Sequence, residues 1–132
     1  MGYEPRYDFQ ADLAYGEAGE DNAKALFGSG AVEVKSDRYR NGKMVIETEQ
    51  KPSGKQDWQL SGINVTTAEW WVYRLAPDSF LVVSVPRLKR YLRVNRASLR
   101  KINLASDGDN PARGFLLTPE QVRWMMTGAE YD

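Results

Sequence analysis

Carboxylates recur at every second position along residues 31–50, AVEVKSDRYRNGKMVIETEQ, with a lysine set among them. In an extended chain Glu33, Lys35 and Asp37 fall on one face while Val32 and Val34 take the other; Glu47 and Glu49 likewise share a face with Val45. Clustered carboxylate oxygens are the donors that a hard cation such as Mg²⁺ takes, usually through one or two carboxylates, waters and a substrate phosphate. Such an ion would relieve the repulsion between like charges on neighbouring strands. A solvated sheet face of alternating glutamate and lysine explains the same residues without a metal. The chain contains no cysteine and no histidine. Thiolate and imidazole ligands are thereby excluded, along with the commonest general base, and any metal would have to be bound by oxygen.

The elements that would position these side chains are two strands. Valine and isoleucine favour extended structure, and Asn41-Gly42 between the segments is a hairpin signal, which predicts a two-stranded ribbon with acids on one side. A two-residue turn at Asn41-Gly42 would set Arg40 opposite Lys43, and then Asp37 opposite Ile46 and Ser36 opposite Glu47. Asp37 and Glu47 would lie on opposite faces. A loop of odd length, or a bulge beside Asp37, would instead pair Asp37 with Glu47 and Lys35 with Glu49. A metal site here therefore requires such an irregularity, and bulges are frequent beside active sites.

With 132 residues the chain is expected to form one domain able to bury a core. Its 18 basic and 18 acidic residues cancel, so no overall basic field draws in nucleic acid, and contact with a polyanion would need a local basic surface. No apolar run approaches the roughly 20 residues of a membrane span. The opening MGYEPRYDFQ lacks the apolar core of a signal peptide, so a cytoplasmic protein without a membrane partner is expected.

Residues 1–15 mix aromatic and charged side chains without a period and are expected to form an irregular arm. A helix is predicted from Gly16 to Phe27, stopped by Gly28-Ser29-Gly30, with Glu17 and Glu20, or Glu20 and Lys24, sharing a face. Acids in a first helical turn are favoured by the helix dipole whether or not they do chemistry. Residues 51–65 are rich in glycine, serine and proline, with Trp58 and Leu60 as candidates for a short strand. Thr66 followed by Glu69 resembles a capping box and predicts a helix over 67–76, with Ala68, Trp71, Val72 and Leu75 as its buried stripe. The apolar run 79–85 predicts a buried strand. Between Arg87 and Lys101 stand seven basic residues; Leu88 and Leu92 give a helix there an apolar side. Arg87, Lys89, Arg90, Arg93 and Arg96 are the candidate contacts to nucleic-acid phosphates, the alternative being a solvated helix face. A turn at 107–111, a strand at 115–117 and a helix opened by Thr118-Pro119-Glu120 complete the chain.

A helix bearing a glutamate, a strand ending in aspartate, a second strand with a glutamate about ten residues on, and then a helix and strand resemble the PD-(D/E)XK nuclease superfamily. The resemblance covers roughly residues 16–86, and the phrases GED, VEVKSDR, NGKMVIETE and SGINVTTAEWWVY look like its small phage-type members. It implies an α+β fold, a small mixed β-sheet flanked by helices with a restriction-endonuclease-like α-β-β-β-α-β core. The nuclease core would span 16–86, the basic segment 87–101, and the C-terminal turn and helix 102–132. Position by position, Glu20 (or Glu17) corresponds to the helix acid, Asp37 to the metal-holding aspartate and Glu47 to the second metal-holding carboxylate. Glu49 stands where the motif carries lysine, and Lys35 is the residue that could supply the missing cation. A rival register takes Glu33-Val34-Lys35 as the motif, with Asp21 as the preceding aspartate.

The resemblance implies hydrolysis of DNA phosphodiester bonds by an endonuclease dependent on Mg²⁺, with Mn²⁺ able to substitute. Asp37, Glu47 and Glu20 would hold the metal, Lys35 would position water, and duplex or branched DNA would lie along the basic segment. A homodimer would cut both strands. The departure at Glu49 favours an alternative, a catalytically degenerate nuclease fold that binds DNA or a protein partner without turnover.

Overall fold

Alternation of buried and less buried residues with a period of two marks β-strand structure at Met44–Ile46 and Trp70–Tyr73. The structure is a computed structural model and describes residues 10, 11, 13, 14, 17, 18, 21, 31–36, 39–52, 57–104 and 111–128. The backbone divides into two units, Met1–Gly30 and Ala31–Asp132. In the first, Gln10, Ala11, Leu13, Ala14, Glu17, Ala18 and Asp21 are helical. Helical conformation thus begins before the expected start at Gly16, within the stretch expected to be an irregular arm.

The second unit runs β1 (Val32–Ser36), β2 (Met44–Gln50), β3 (Gln59–Leu60), a 3₁₀ turn (Gly62–Asn64), β4 (Trp70–Ala76), β5 (Ser79–Ser84), α1 (Val85–Asn95), a second 3₁₀ turn (Arg96–Ser98), β6 (Arg100–Leu104), β7 (Ala112–Leu117) and α2 (Pro119–Thr127). The class is α+β, as expected. A three-stranded mixed sheet has the order β1-β4-β5, and a four-stranded antiparallel sheet has the order β3-β2-β7-β6. Among the described residues no helix is long and apolar enough to cross a membrane.

Two expected elements are corrected. The ribbon over 31–50 does not form: β1 pairs in parallel with β4, and β2 lies between β3 and β7 in the other sheet. Turn chemistry is nonetheless present at the link, where Arg40 and Gly42 have positive φ (51° and 76°) and Asn41 Oδ1 accepts from the Lys43 amide at 3.0 Å. That turn passes the chain from one sheet to the other. Met44 and Ile46 are buried against Leu117 and Phe115, their register partners in β7, and Val32 and Val34, exposed on β1, offer no comparable apolar match.

The helix expected over 67–76 is strand β4. Trp71 and Tyr73 are buried at 1% and 3% exposure while Trp70 and Val72 between and beside them are half-buried, which is the period of a strand. Trp, Val and Tyr are strong strand formers. Thr66 Oγ1 accepts from the Ala68 amide at 3.2 Å, a turn two residues long in place of the N-cap that the Thr66/Glu69 spacing predicts. The turn after Ala76 then folds β5 back on β4.

The expected strands at 79–85, 115–117 and about Leu60 and the expected helices in the basic segment and after Thr118 are present. Of the helix expected over 16–27, residues 17, 18 and 21 are described and helical, and its stop at 28–30 lies outside the described residues. Strand β5 falls within 79–85, β3 ends at Leu60, and β7 includes 115–117. Helix α2 opens with a capping box: the Gln121 amide donates to Thr118 Oγ1 at 3.1 Å and the Thr118 amide donates to Gln121 Oε1 at 2.9 Å. Helix α1 opens on Ser84, whose hydroxyl accepts from the Arg87 amide at 3.2 Å. Leu88, Tyr91 and Leu92 on its inner side join Met44, Ile46, Trp71, Phe115 and Leu117 in one core. The sheets are also linked by the Val45 amide, which donates to the Tyr73 hydroxyl at 3.3 Å. The expected turn at 107–111 lies outside the described residues up to Asn110.

Candidate functional site

Residues that the sequence grouped together are separated by the fold, and others are brought together. Asp37 and Glu20 lie outside the described residues. Glu17 is helical and exposed in the Met1–Gly30 unit. Lys35 lies on β1, beside Tyr73 of β4 in the ladder. Its ammonium is 3.8 Å from Glu33 and 5.8 Å from the centre of the Trp71 ring, so Lys35 is not paired with Glu49.

Glu47 and Glu49 do not share a face. Along β2 the partner of Glu47 is Gly114 and the partner of Glu49 is Arg113, so two steps on β2 match one on β7 and Thr48 is the extra residue of a bulge. Directly opposed residues share a face and adjacent residues do not, so Glu47 lies on one side of the sheet and Glu49 on the other. The bulge is held on both sides. Thr48 Oγ1 donates to the Arg113 carbonyl at 3.3 Å, and the Thr48 carbonyl accepts from the Ser61 amide at 2.9 Å and from Asn64 Nδ2 at 3.0 Å. A metal site was expected to need an odd loop or a bulge beside Asp37, to pair Asp37 with Glu47; Asp37 lies outside the described residues, and the bulge found is at Thr48 and separates Glu47 from Glu49.

Glu49 has a different partner. Arg113 donates from Nε to Glu49 Oε1 at 3.2 Å and from Nη2 to Oε2 at 3.1 Å, a two-bond fork between residues opposed in the ladder. The guanidinium carbon also lies 4.1 Å from the centre of the Trp58 ring, and Lys51 Nζ lies 5.4 Å from the same centre. The place of the expected motif lysine is thus taken by a carboxylate that anchors an arginine.

This fork forms one end of a groove between α1 and the four-stranded sheet. Its floor is the sheet face on which Leu60, Glu49, Arg113, Phe115, Lys101 and Asn103 lie, as the register shows. Its wall is α1 with the following 3₁₀ turn, which contribute Lys89, Arg93 and Arg96. Among the described residues five cations, Lys89, Arg93, Arg96, Lys101 and Arg113, line the groove against one carboxylate, Glu49, which Arg113 neutralises. A concave surface lined by one sign of charge focuses the field on an anion within it.

The helical period selects among the expected phosphate contacts. Lys89, Arg93 and Arg96 follow one another at helical spacing beside the buried Leu88 and Leu92. Arg90 lines a shallower cleft with Thr66, Thr67 and Ser84 at the start of α1. Arg87 stands at the end of α2, its Nη1 2.9 Å from where a Cβ on Gly128 would lie, and takes no part in lining the groove. Lys101, Asn103, Arg113 and Trp58 did not stand out as site residues in the sequence. Lys101 was legible as part of the basic count, whereas Arg113 and Trp58 needed the ladder register.

Among the described residues no three acidic, histidine or cysteine side chains come together to hold a metal ion. Of the three residues implied as metal ligands, Glu47 alone is described, and it has no second carboxylate beside it on its face of β2 or β7. No protein-family model, curated protein or solved structure matches this chain.

Proposed function

We propose that this protein binds DNA, holding the phosphate backbone in the groove between α1 and the four-stranded sheet. One observation carries this reading: cations from α1, the 3₁₀ turn, β6 and β7 converge on one groove of a chain whose charges cancel as a whole. Lysine and arginine so placed release counterions from the DNA backbone and read charge more than sequence. A cytoplasmic location goes with this reading. It is tested by fluorescence anisotropy of a labelled oligonucleotide at rising salt. Four groove cations without an ion pair among the described residues, Lys89, Arg93, Arg96 and Lys101, predict saturable binding whose log–log salt slope is about −3 to −4. Absence of binding at low salt overturns it.

A second reading, hydrolysis of the bound strand, keeps the likeness to PD-(D/E)XK nucleases. It draws on the link between Tyr73, the ladder neighbour of Lys35, and the Val45 amide, two residues before Glu47. That bond joins β4, the neighbour of the strand that carries Lys35, to β2, the strand that carries Glu47. Asp37, Glu47 and Glu20 would share the metal, Mg²⁺ or Mn²⁺, and two copies of the chain would be needed to cut both strands. The test is incubation of plasmid, linear duplex, single strand and four-way junction with either metal. Cutting by the wild type, lost in Asp37→Ala with DNA affinity retained, supports hydrolysis. Folded wild-type protein that binds all four and cuts none is a binding module without turnover, the alternative that the departure at Glu49 favours.

A further inference from the structure

The part of the groove lined by Arg113 and Glu49, with Trp58 stacked on the guanidinium, differs in kind from the basic wall. Two parallel N–H···O bonds to Glu49 fix the plane of the Arg113 guanidinium, and the Trp58 indole backs it at a stacking distance of 4.1 Å. The carboxylate cancels the charge of this arginine, so its affinity for a phosphate is low compared with that of Lys89, Arg93 or Arg96. What remains is a flat, immobilised surface. Some 42% of the Arg113 side chain is exposed, and it lines the groove. Leu60, which faces Glu49 across β2 and β3, is 63% exposed beside it. A planar platform with an apolar edge, placed next to a row of phosphate-binding cations, matches a nucleotide whose base is free to stack. Bases inside a duplex are stacked on both faces and cannot use it, whereas aromatic and guanidinium planes are standard seats for splayed bases of single strands.

We propose that the Trp58–Arg113–Glu49 stack seats an unpaired base, so that the groove takes single-stranded DNA in preference to duplex. This rests on the reading of the groove as a DNA site and names the form of DNA it holds. In it Glu49 is a positioning residue that acts through Arg113, and it has no role as a catalytic acid. The Lys51 ammonium, on a flexible stem near the same indole, is free to follow the adjoining phosphate.

The test compares affinities of the whole protein for a labelled single-stranded oligonucleotide of about 12 residues and for the duplex of the same sequence, at one salt concentration. The wild type is expected to bind the single strand about tenfold tighter, the order of magnitude of one base–aromatic stack. Arg113→Lys keeps the charge and loses the plane; Trp58→Ala removes the backing. Each variant is expected to lose the preference by weakening single-strand binding about tenfold while changing duplex binding less than twofold. Glu49→Gln, which keeps shape and gives up the neutralising charge, is expected to tighten duplex binding and so narrow the preference from the other side. Equal wild-type affinity for the two forms overturns the base seat and leaves the groove reading standing, as does an equal loss on both forms in Arg113→Lys and Trp58→Ala. Binding to neither form overturns the groove reading itself.

Discussion

Reversing two charges, Arg93→Glu with Arg96→Glu, is expected to lower affinity for DNA by about 100-fold at low salt and to reduce the magnitude of the salt slope by about two. Both residues are exposed on the groove wall, and neither takes part in the core, so the fold should persist with an unchanged circular dichroism spectrum. The size of the effect follows from where the charges sit. Each reversal removes one cation and adds one repulsive carboxylate to a groove whose one acid among the described residues, Glu49, is already neutralised. The same pair of substitutions at Arg87 and Arg123 is the control. Arg87 lies by Gly128 at the end of α2, and Arg123 is an exposed residue of that helix outside the groove lining. If the control pair weakens binding as much as the groove pair, affinity follows net charge and the groove has no special part in it.

The second large effect concerns the fold that builds the groove. Gly114 sits in β7 opposite Glu47, and a Cβ there would collide with the Ile46 carbonyl, whose carbon would lie at 2.8 Å, and would approach Glu47 Cα to 2.9 Å. These are backbone atoms of the central strand, which cannot turn aside as a flexible side chain could. Gly114→Ala is therefore expected to destabilise the protein by about 3 kcal/mol in urea denaturation, with a lower midpoint at similar slope. The sign is diagnostic. In a strand with room to spare, alanine in place of glycine stabilises by about 0.5–1 kcal/mol through the unfolded chain, so a rise in stability would show that β2 and β7 are not packed this closely. Gly62 makes a similar approach on the other side of the bulge. It has φ of +56°, and a Cβ there would meet the Glu47 carbonyl, its carbon at 2.8 Å. Two glycines distant in sequence thus hold the bulge at Thr48, and the bulge sends Glu49 into the groove.

What could be read in the sequence was mostly local. Leu88 and Leu92 among the basic residues announce α1, and Thr118-Pro119-Glu120 announces the start of α2; the caps themselves, Ser84 and the Thr118–Gln121 pair, came from the structure. The basic segment was legible as a surface because charge at Lys89, Arg93 and Arg96 recurs at helical spacing. Where reading failed, a local signal was overruled at long range. Asn41-Gly42 does turn the chain, yet Met44 and Ile46 are buried by Leu117 and Phe115 some seventy residues away, and no pattern near the turn reports that partner. Thr66 and Glu69 have the spacing of a helix start, but Trp71 and Tyr73 alternate into the core of a sheet, and burial of large aromatics outweighs a cap contributing about 1 kcal/mol.

The site was legible in a similar proportion. A run of alternating acids is visible in any extended reading of 31–50, but whether two of them share a face depends on a single extra residue, Thr48, whose presence as a bulge is set by the register of β7. The same register opposes Arg113 to Glu49 and carries both to the groove. A two-residue period cannot anticipate that shift. Glu49 is consequently an anchor for arginine in this fold.

The most direct measurement of the groove's role is amide chemical-shift mapping of the ¹⁵N-labelled protein during titration with a short DNA oligonucleotide. Shifts are expected to concentrate on Lys89, Arg93, Arg96, Lys101, Asn103 and Arg113, which line the groove, and to spare Val32, Val34 and Phe80, which are exposed on the three-stranded sheet. Shifts gathered on that sheet, with the groove amides unmoved at saturation, would contradict the assignment of the groove as the DNA site.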